Sequence, residues 1–189
     1  MAQRMKEIAL CGRMGGKTVT IISNGSLGTQ ADYEALTGMG ITLFEFPIHS
    51  ADEGIHYYIT QIKGSWQKSI ASIKVIQKLN GYPVPVIVMT KYNNDLIGDQ
   101  PDFISTLGLN RVMMNRYNIG GCGTADPASV SGTHSQLRNA FSTANDKAEE
   151  LGLVISSNVC SPDCLINPAD YPRLMFGHCS SDVLLKHIT

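Results

Sequence analysis

SWQKSIASIKVIQKLNGYPVPVIVM, running from Ser65 to Met89, decides the fold. Trp66, Ile70, Ile73, Ile76 and Leu79 recur at spacings of three and four, which places them on one stripe of a helix. Ser65 suits the N-cap and Gly81 the stop, so the pattern predicts a helix to about Asn80. Pro85 to Met89 is a short, β-branched apolar run and predicts a strand, with Pro83 and Pro85 tolerated only near its start. A helix delivering the chain straight into a buried strand is part of a βα repeat.

Working outward, the same alternation continues on both sides. Upstream, Thr18 to Ser23 reads as a strand ending in an Asn24-Gly25 turn, Asp32 to Thr37 as a short helix closed by Gly38, and Ile41 to Ile48 as a second strand. Gln3 to Met14 reads as an opening helix. Downstream, Pro101 starts a helix through Phe103, Ile104 and Leu107, and Arg111 to Asn115 is a strand. Leu137, Phe141, Ala144, Ala148 and Leu151 mark another helix, stopped by Gly152, before a short strand from Leu153 to Ser156. Strictly alternating helices and strands predict right-handed crossovers and a parallel α/β sheet. The nearly continuous apolar strands predict cover on both faces. Residues 120–135 read as a linker-like loop, and the segment from Asn158 onward is proline-punctuated without clear periodicity.

Composition bounds the function. The chain has 189 residues, 43% hydrophobic and 16% charged, which is enough apolar material for a core and too little charge for disorder. A formal charge of -1 with no basic patch excludes a nucleic-acid surface of the usual kind. The longest apolar runs fall far short of the roughly 20 residues that span a membrane. No apolar signal-peptide core follows Met1, and five cysteines are an odd number, so the expected setting is a reducing cytoplasm rather than a disulfide framework.

In parallel βα architectures, ligands meet the C-terminal ends of the strands. Read in order, those ends carry Ser23, Asn24 and Gly25; His49 and Ser50; Thr90 with Asn93; and Asn115, Arg116, Tyr117 and Asn118 with Gly120 and Gly121. Each is a polar group following an apolar strand, as the lining of a pocket requires. His49, His56, Glu45 and Asp52 also read as a possible acid/base group, against a purely structural role for Glu45. His134 reads as a solvated loop residue, and no nucleophile is identifiable, so the catalytic residues stay unassigned.

These motifs together resemble the radical S-adenosylmethionine (radical SAM) family. Ser23-Asn24-Gly25 resembles the end of that family's third barrel strand, and Phe46-Pro-Ile-His-Ser50 with His56 and Gly64-Ser65-Trp66 its fourth strand and the following helix. Val88-Met-Thr90 with Asn93 resembles the fifth strand, and Met114-Asn-Arg-Tyr-Asn-Ile-Gly-Gly121 the sixth. The resemblance implies an incomplete, partial TIM-like (β/α) barrel over residues 1–157. It implies S-adenosylmethionine contacts at Ser23, Asn24, Gly25, His49, Ser50, Thr90, Asn93, Asn115, Arg116, Asn118, Gly120 and Gly121. It also implies a peptide, protein or cofactor-precursor substrate.

The end of the chain extends the resemblance. Residues 158–189 are similar to the start of a SPASM-type extension, whose cysteines hold an auxiliary [4Fe–4S] cluster, and this implies Cys160, Cys164 and Cys179 as metal ligands. Zinc held by the same cysteines with His178, or no metal at all, stays open.

The sequence also departs from the family. It has no Cys-x3-Cys-x2-Cys motif and no Gly-Gly-Glu-type second strand, Cys11 stands alone, and Pro47 occupies a strand position where relatives carry a small polar residue. The expectation is therefore a truncated fragment, inactive by itself, of an enzyme that cleaves S-adenosylmethionine at a [4Fe–4S] cluster to make a 5′-deoxyadenosyl radical. Its open barrel edge is expected to be covered by self-association or by a partner. Two other readings stay open: a non-catalytic nucleoside-binding module, and an unrelated α/β protein with a structural zinc or cysteine site.

Overall fold

The structure is a computed structural model that describes residues 4–120, 126–159, 161 and 165–177. Its elements alternate as expected: α1 (Met5–Met14), β1 (Thr20–Ile22), α2 (Gln30–Gly38), β2 (Leu43–Pro47), α3 (Glu53–Thr60), α4 (Ser65–Lys78), β3 (Tyr82–Met89), α5 (Asp99–Thr106), β4 (Arg111–Arg116), α6 (His134–Leu151), β5 (Val154–Ser157) and β6 (Leu174–Phe176). The strands lie in the order β1-β2-β3-β4-β5-β6. The pairs β1–β2, β3–β4, β4–β5 and β5–β6 are parallel. Strand order that follows chain order is the singly wound order of a (β/α) barrel, here incomplete. It differs from the doubly wound order, in which the chain reverses direction and covers both faces.

Two compact units divide the chain, one made of residues up to Ile48 with His56–Pro85, the other of His49–Ile55 with the residues from Val86 onward. In the first, Phe44 and Phe46 alternate with Glu45 along β2 and are fully buried. Tyr33 of α2 meets both rings edge-on, with centroids 6.0 Å away. α4 packs on β2 as well. The opposite face is open, and Ile22 of β1 is 75% exposed.

The second unit repeats the pattern. Ile87, Met89, Val112, Met114, Ile155 and Leu174 form one core with Leu137, Phe141, Ala144 and Ala148 of α6. Val86, Val88 and Met175, one residue out of phase, stay partly or largely exposed. The second face is less well covered than the first, although Met113, which pairs with Val86 on it, is buried. Crossovers of one hand between consecutive parallel neighbours place the connecting helices on one face of a sheet and leave the other for barrel closure.

Local departures have local reasons. Helix α3 was not expected: it is rich in Ile, Tyr and Thr, yet Asp52 starts it by accepting the Ile55 N–H at 2.8 Å. β3 begins three residues earlier than expected and carries both prolines inside it. Ser65 is not the N-cap of α4. That position belongs to Gly64, at φ 82°, because the Ser65 hydroxyl is committed to the Ile62 carbonyl at 2.7 Å. The described residues of the segment that the sequence sets apart as an extension contribute β6 and the buried Ile166, Tyr171 and Leu174 to the second unit.

Candidate functional site

In the first unit, the loop after β1 is a hydrogen-bonded turn. Ser23 Oγ accepts the Gly25 N–H at 3.2 Å, and Asn24 Oδ1 accepts from Ser26 N at 3.1 Å and Ser26 Oγ at 2.7 Å. Gly25 sits at φ 67°, and a Cβ there would lie 2.7 Å from Ser72 Oγ, so only glycine lets this loop rest on α4. Ser72 is itself held by the Tyr33 hydroxyl at 3.0 Å.

His56 is also in this unit and is fully buried. Its Nε2 lies 3.0 Å from Ser65 Oγ. Because the Ser65 proton goes to Ile62 O, the ring must donate through Nε2. Thr60 Oγ1 donates to the His56 carbonyl at 3.0 Å and also touches Ser65 Oγ at 3.0 Å. Burial lowers the His56 pKa from 6.5 to about 4. The acid/base group read around β2 therefore does not assemble at His56, which joins α3 to α4. Glu45 is half-buried, and desolvation raises its carboxyl pKa.

In the second unit, the residues after β2, β3 and β4 come together. Asn93 is fully buried and makes four hydrogen bonds. Its Nδ2 donates to His49 O at 2.7 Å and Val88 O at 3.0 Å. Its Oδ1 accepts from Thr90 N at 2.7 Å and Thr90 Oγ1 at 3.1 Å. His49 Nδ1 accepts the Val88 N–H at 3.2 Å, which puts the proton of the neutral ring on Nε2. Ser50 is buried and its Oγ accepts from Asp52 N at 3.1 Å. Asn115 Oδ1 accepts from the backbone of Asn158 at 2.8 Å and of Val159 at 3.4 Å. Arg116 Nε donates to Ser161 Oγ at 3.0 Å. Asn118 and Gly120 are exposed. Thr90, Asn93 and Asn115 thus spend side-chain hydrogen bonds in holding these loops together.

A cleft of about 190 Å³ opens beside them, between the ends of β3 and β4 and the start of α6. Met89, Leu137 and Leu165 give it apolar walls, and Asn94, Arg116 and His134 give it polar ones. Sequence reading missed Asn94 and misplaced His134, which is the first residue of α6 and not part of a loop. The signal was present in Thr133-His-Ser-Gln136, a capping box in which Thr133 and Gln136 satisfy each other's backbone N–H.

The proposed metal ligands Cys160, Cys164 and Cys179, with His178 and Gly121, lie outside the described residues. Among the described residues no group of three His, Cys, Asp or Glu side chains is placed to hold a metal, and Cys11 is a free, exposed thiol. No described helix is long and apolar enough to cross a membrane.

No family model matches the sequence, and no curated protein matches it at the sequence level. Solved structures do match. SuiB of Streptococcus suis superposes with a TM-score of 0.68 and 14% identity over 86% of this chain. SuiB bound to S-adenosylmethionine gives 0.69 at 14% identity, and SuiB bound to the precursor peptide SuiA gives 0.68 over 87% of this chain. The chain spans 38% of SuiB's own length. An HpcH/HpaI aldolase from Desulfitobacterium hafniense DCB-2 matches at a TM-score of 0.51 and 12% identity, over 98% of this chain and 75% of that one. At these identities the likeness establishes the fold alone, an α/β fold with parallel strands that SuiB shares.

Proposed function

We propose that the chain supplies nucleoside-binding and substrate-facing structure for a radical SAM enzyme that modifies a peptide. The observation carrying this reading is the fold shared with SuiB, a protein seen with S-adenosylmethionine and with a precursor peptide. The order of polar motifs at the strand ends supports it. In the second unit, His49, Ser50, Asn115, Asn118 and Gly120 are the proposed nucleoside contacts, with Thr90 and Asn93 as the clamp that positions them. In the first unit, Ser23, Asn24 and Gly25 are proposed on the same ground.

The sequence has no Cys-x3-Cys-x2-Cys set, and the described residues hold no three-ligand group. The residues present lack the Cys-x3-Cys-x2-Cys thiolates that the first [4Fe–4S] cluster needs. The chain's role is binding and positioning. This same observation favours a second reading, a non-catalytic nucleoside-binding module. Cys160, Cys164 and Cys179 remain the proposed ligands of an auxiliary iron–sulfur site.

Calorimetric titration with S-adenosylmethionine and with 5′-deoxyadenosine tests the proposal, with anaerobic iron, sulfide and zinc analysis in parallel. The expected result is that both nucleosides bind with similar affinity, because the chain grips the nucleoside and not the methionine. Binding of neither would overturn it. The reading also has a second chain covering the β1 side, where Ile8, Met14 and Ile22 are 71%, 79% and 75% exposed. A strictly monomeric mass by light scattering would remove that part.

A further inference from the structure

We propose that Glu45 marks a site for an alkylammonium group, the side chain of a lysine residue in a peptide, on the face of the first unit's strands opposite its helices. This deepens the reading above, on which it rests in taking that face to meet a peptide substrate.

Place is the first reason. Along β2, Phe44 and Phe46 are fully buried on the helix side, so alternation puts Leu43, Glu45 and Pro47 on the other face. The parallel register with β1 sets Ile22 beside Glu45 and Thr20 beside Leu43. Toward β3, the Tyr82 N–H donates to Thr42 O at 2.7 Å, a register that brings Val84 alongside Glu45. The nearest positions on this face, Ile22, Leu43, Pro47 and Val84, are all apolar. Glu45 is therefore a carboxylate set in an apolar surround.

Its charge is the second reason. Glu45 is half-buried, yet among the described residues its carboxylate has neither a hydrogen bond nor an ion pair. Asp32, in the same unit, shows the contrast. Lys6 holds it at 2.6 Å and Thr29 donates to it through N and Oγ1, and these contacts lower its pKa. Desolvation alone acts on Glu45 and raises its pKa. A partly desolvated anion without a partner is unfavourable, and a strand keeps one where a ligand completes it. The missing partner is a cation.

The surroundings choose which cation. A calcium or magnesium ion wants about six oxygen ligands, and among the described residues no group of three His, Cys, Asp or Glu is placed to hold a metal. A guanidinium brings five N–H donors in a fixed fork, more than a single carboxylate satisfies, whereas an ammonium brings three on a rotatable head. The alkyl stem behind that head needs apolar surface. Ile22, 75% exposed, and the partly exposed Leu43 supply it on either side of the carboxylate.

The test uses the full chain, read by amide NMR shifts, with Nα-acetyl-lysine N-methylamide as probe and its norleucine analogue as uncharged control. The lysine probe should bind and shift Ile22, Leu43 and Glu45. The control should bind about tenfold more weakly or worse, a difference of about 1.4 kcal/mol. Glu45→Gln should weaken the lysine probe to the level of the control while leaving the melting temperature unchanged or higher, a combination that a merely structural carboxylate would not give. Ile22→Lys offers Glu45 an ammonium from within the chain and should block the probe, which keeps the proposal testable if Glu45→Gln fails to fold. No binding at millimolar probe, equal affinity for the lysine and norleucine compounds, or binding indifferent to both variants would each overturn the proposal. So would displacement of the probe by 5′-deoxyadenosine, which would assign Glu45 to the nucleoside site, or n-butylamine binding more tightly than the lysine probe, which would make a free amine the ligand. Nucleoside affinity is measured on the same sample. Nucleoside binding without lysine binding sinks this proposal alone, and lysine binding without nucleoside binding sinks the nucleoside reading alone.

Discussion

Two buried polar clusters, one in each unit, follow opposite rules. In the first unit His56, Ser65 and Thr60 sit in a closed set of hydrogen bonds. In the second, Asn93 is saturated but the adjacent Asn94 leaves its Oδ1 without a partner. Buried polar groups that satisfy one another rigidify a fold, and one left unsatisfied carries a standing cost. The comparison therefore sorts the polar residues of this chain into closed sets, which are architecture, and open atoms, which among the described residues are Ser69 Oγ, Asn94 Oδ1, Gln100 Nε2 and Oε1, and Ser157 Oγ.

Breaking a closed set should cost most. Asn93→Ala strands the His49 and Val88 carbonyls and the Thr90 N–H, each worth about 1–3 kcal/mol when orphaned. Urea denaturation should show a loss of at least about 3 kcal/mol. A loss below about 1 kcal/mol would mean that water replaces the clamp easily.

The His56 set should reveal itself through pH. The folded ring has a pKa of about 4 against 6.5 when unfolded, so protonation favours the unfolded chain. Stability should be full above pH 6.5 and fall as the pH drops toward about 4, by roughly 3 kcal/mol in all. His56→Gln should flatten that slope; an unchanged slope would move the effect to other groups.

Smaller effects sharpen the same contrast. Gly25→Ala forces a side chain into a left-handed backbone and against Ser72, for about 1–2 kcal/mol. Thermal melts would register it, and a neutral result would show the β1 loop to be free of α4. Arg173→Ala removes an exposed ion pair with Glu149 and should cost under about 0.5 kcal/mol in the same melts. A large loss there would break the sorting rule, because an open surface pair would then behave like a closed set.

The strands and long helices were legible because the periods were clean. The stripe from Trp66 to Leu79 and the strand after it stand almost where the spacing puts them. Helix α3 was hidden because Ile, Tyr and Thr favour strands, and only the Asp52 cap betrays it. β6 was hidden because three residues among prolines carry no period. Uneven cover of the two faces was hidden for a different reason: it follows from strand order, a long-range property that no local pattern encodes. At the strand ends, sequence picked out Asn93 and Asn115 as polar residues in the right places, but it could not say that their hydrogen bonds would be spent on neighbouring loops. Nor could it separate Asn93 from Asn94, since adjacent identical residues differ here only in which partners the fold brings to them.

The most direct test of the central claim is a titration of the isotopically labelled chain with 5′-deoxyadenosine, read by amide NMR shifts. The account predicts saturable shifts at His49, Ser50 and Gly120. No shifts at these three residues, or shifts confined to Asn94 and His134, would contradict it.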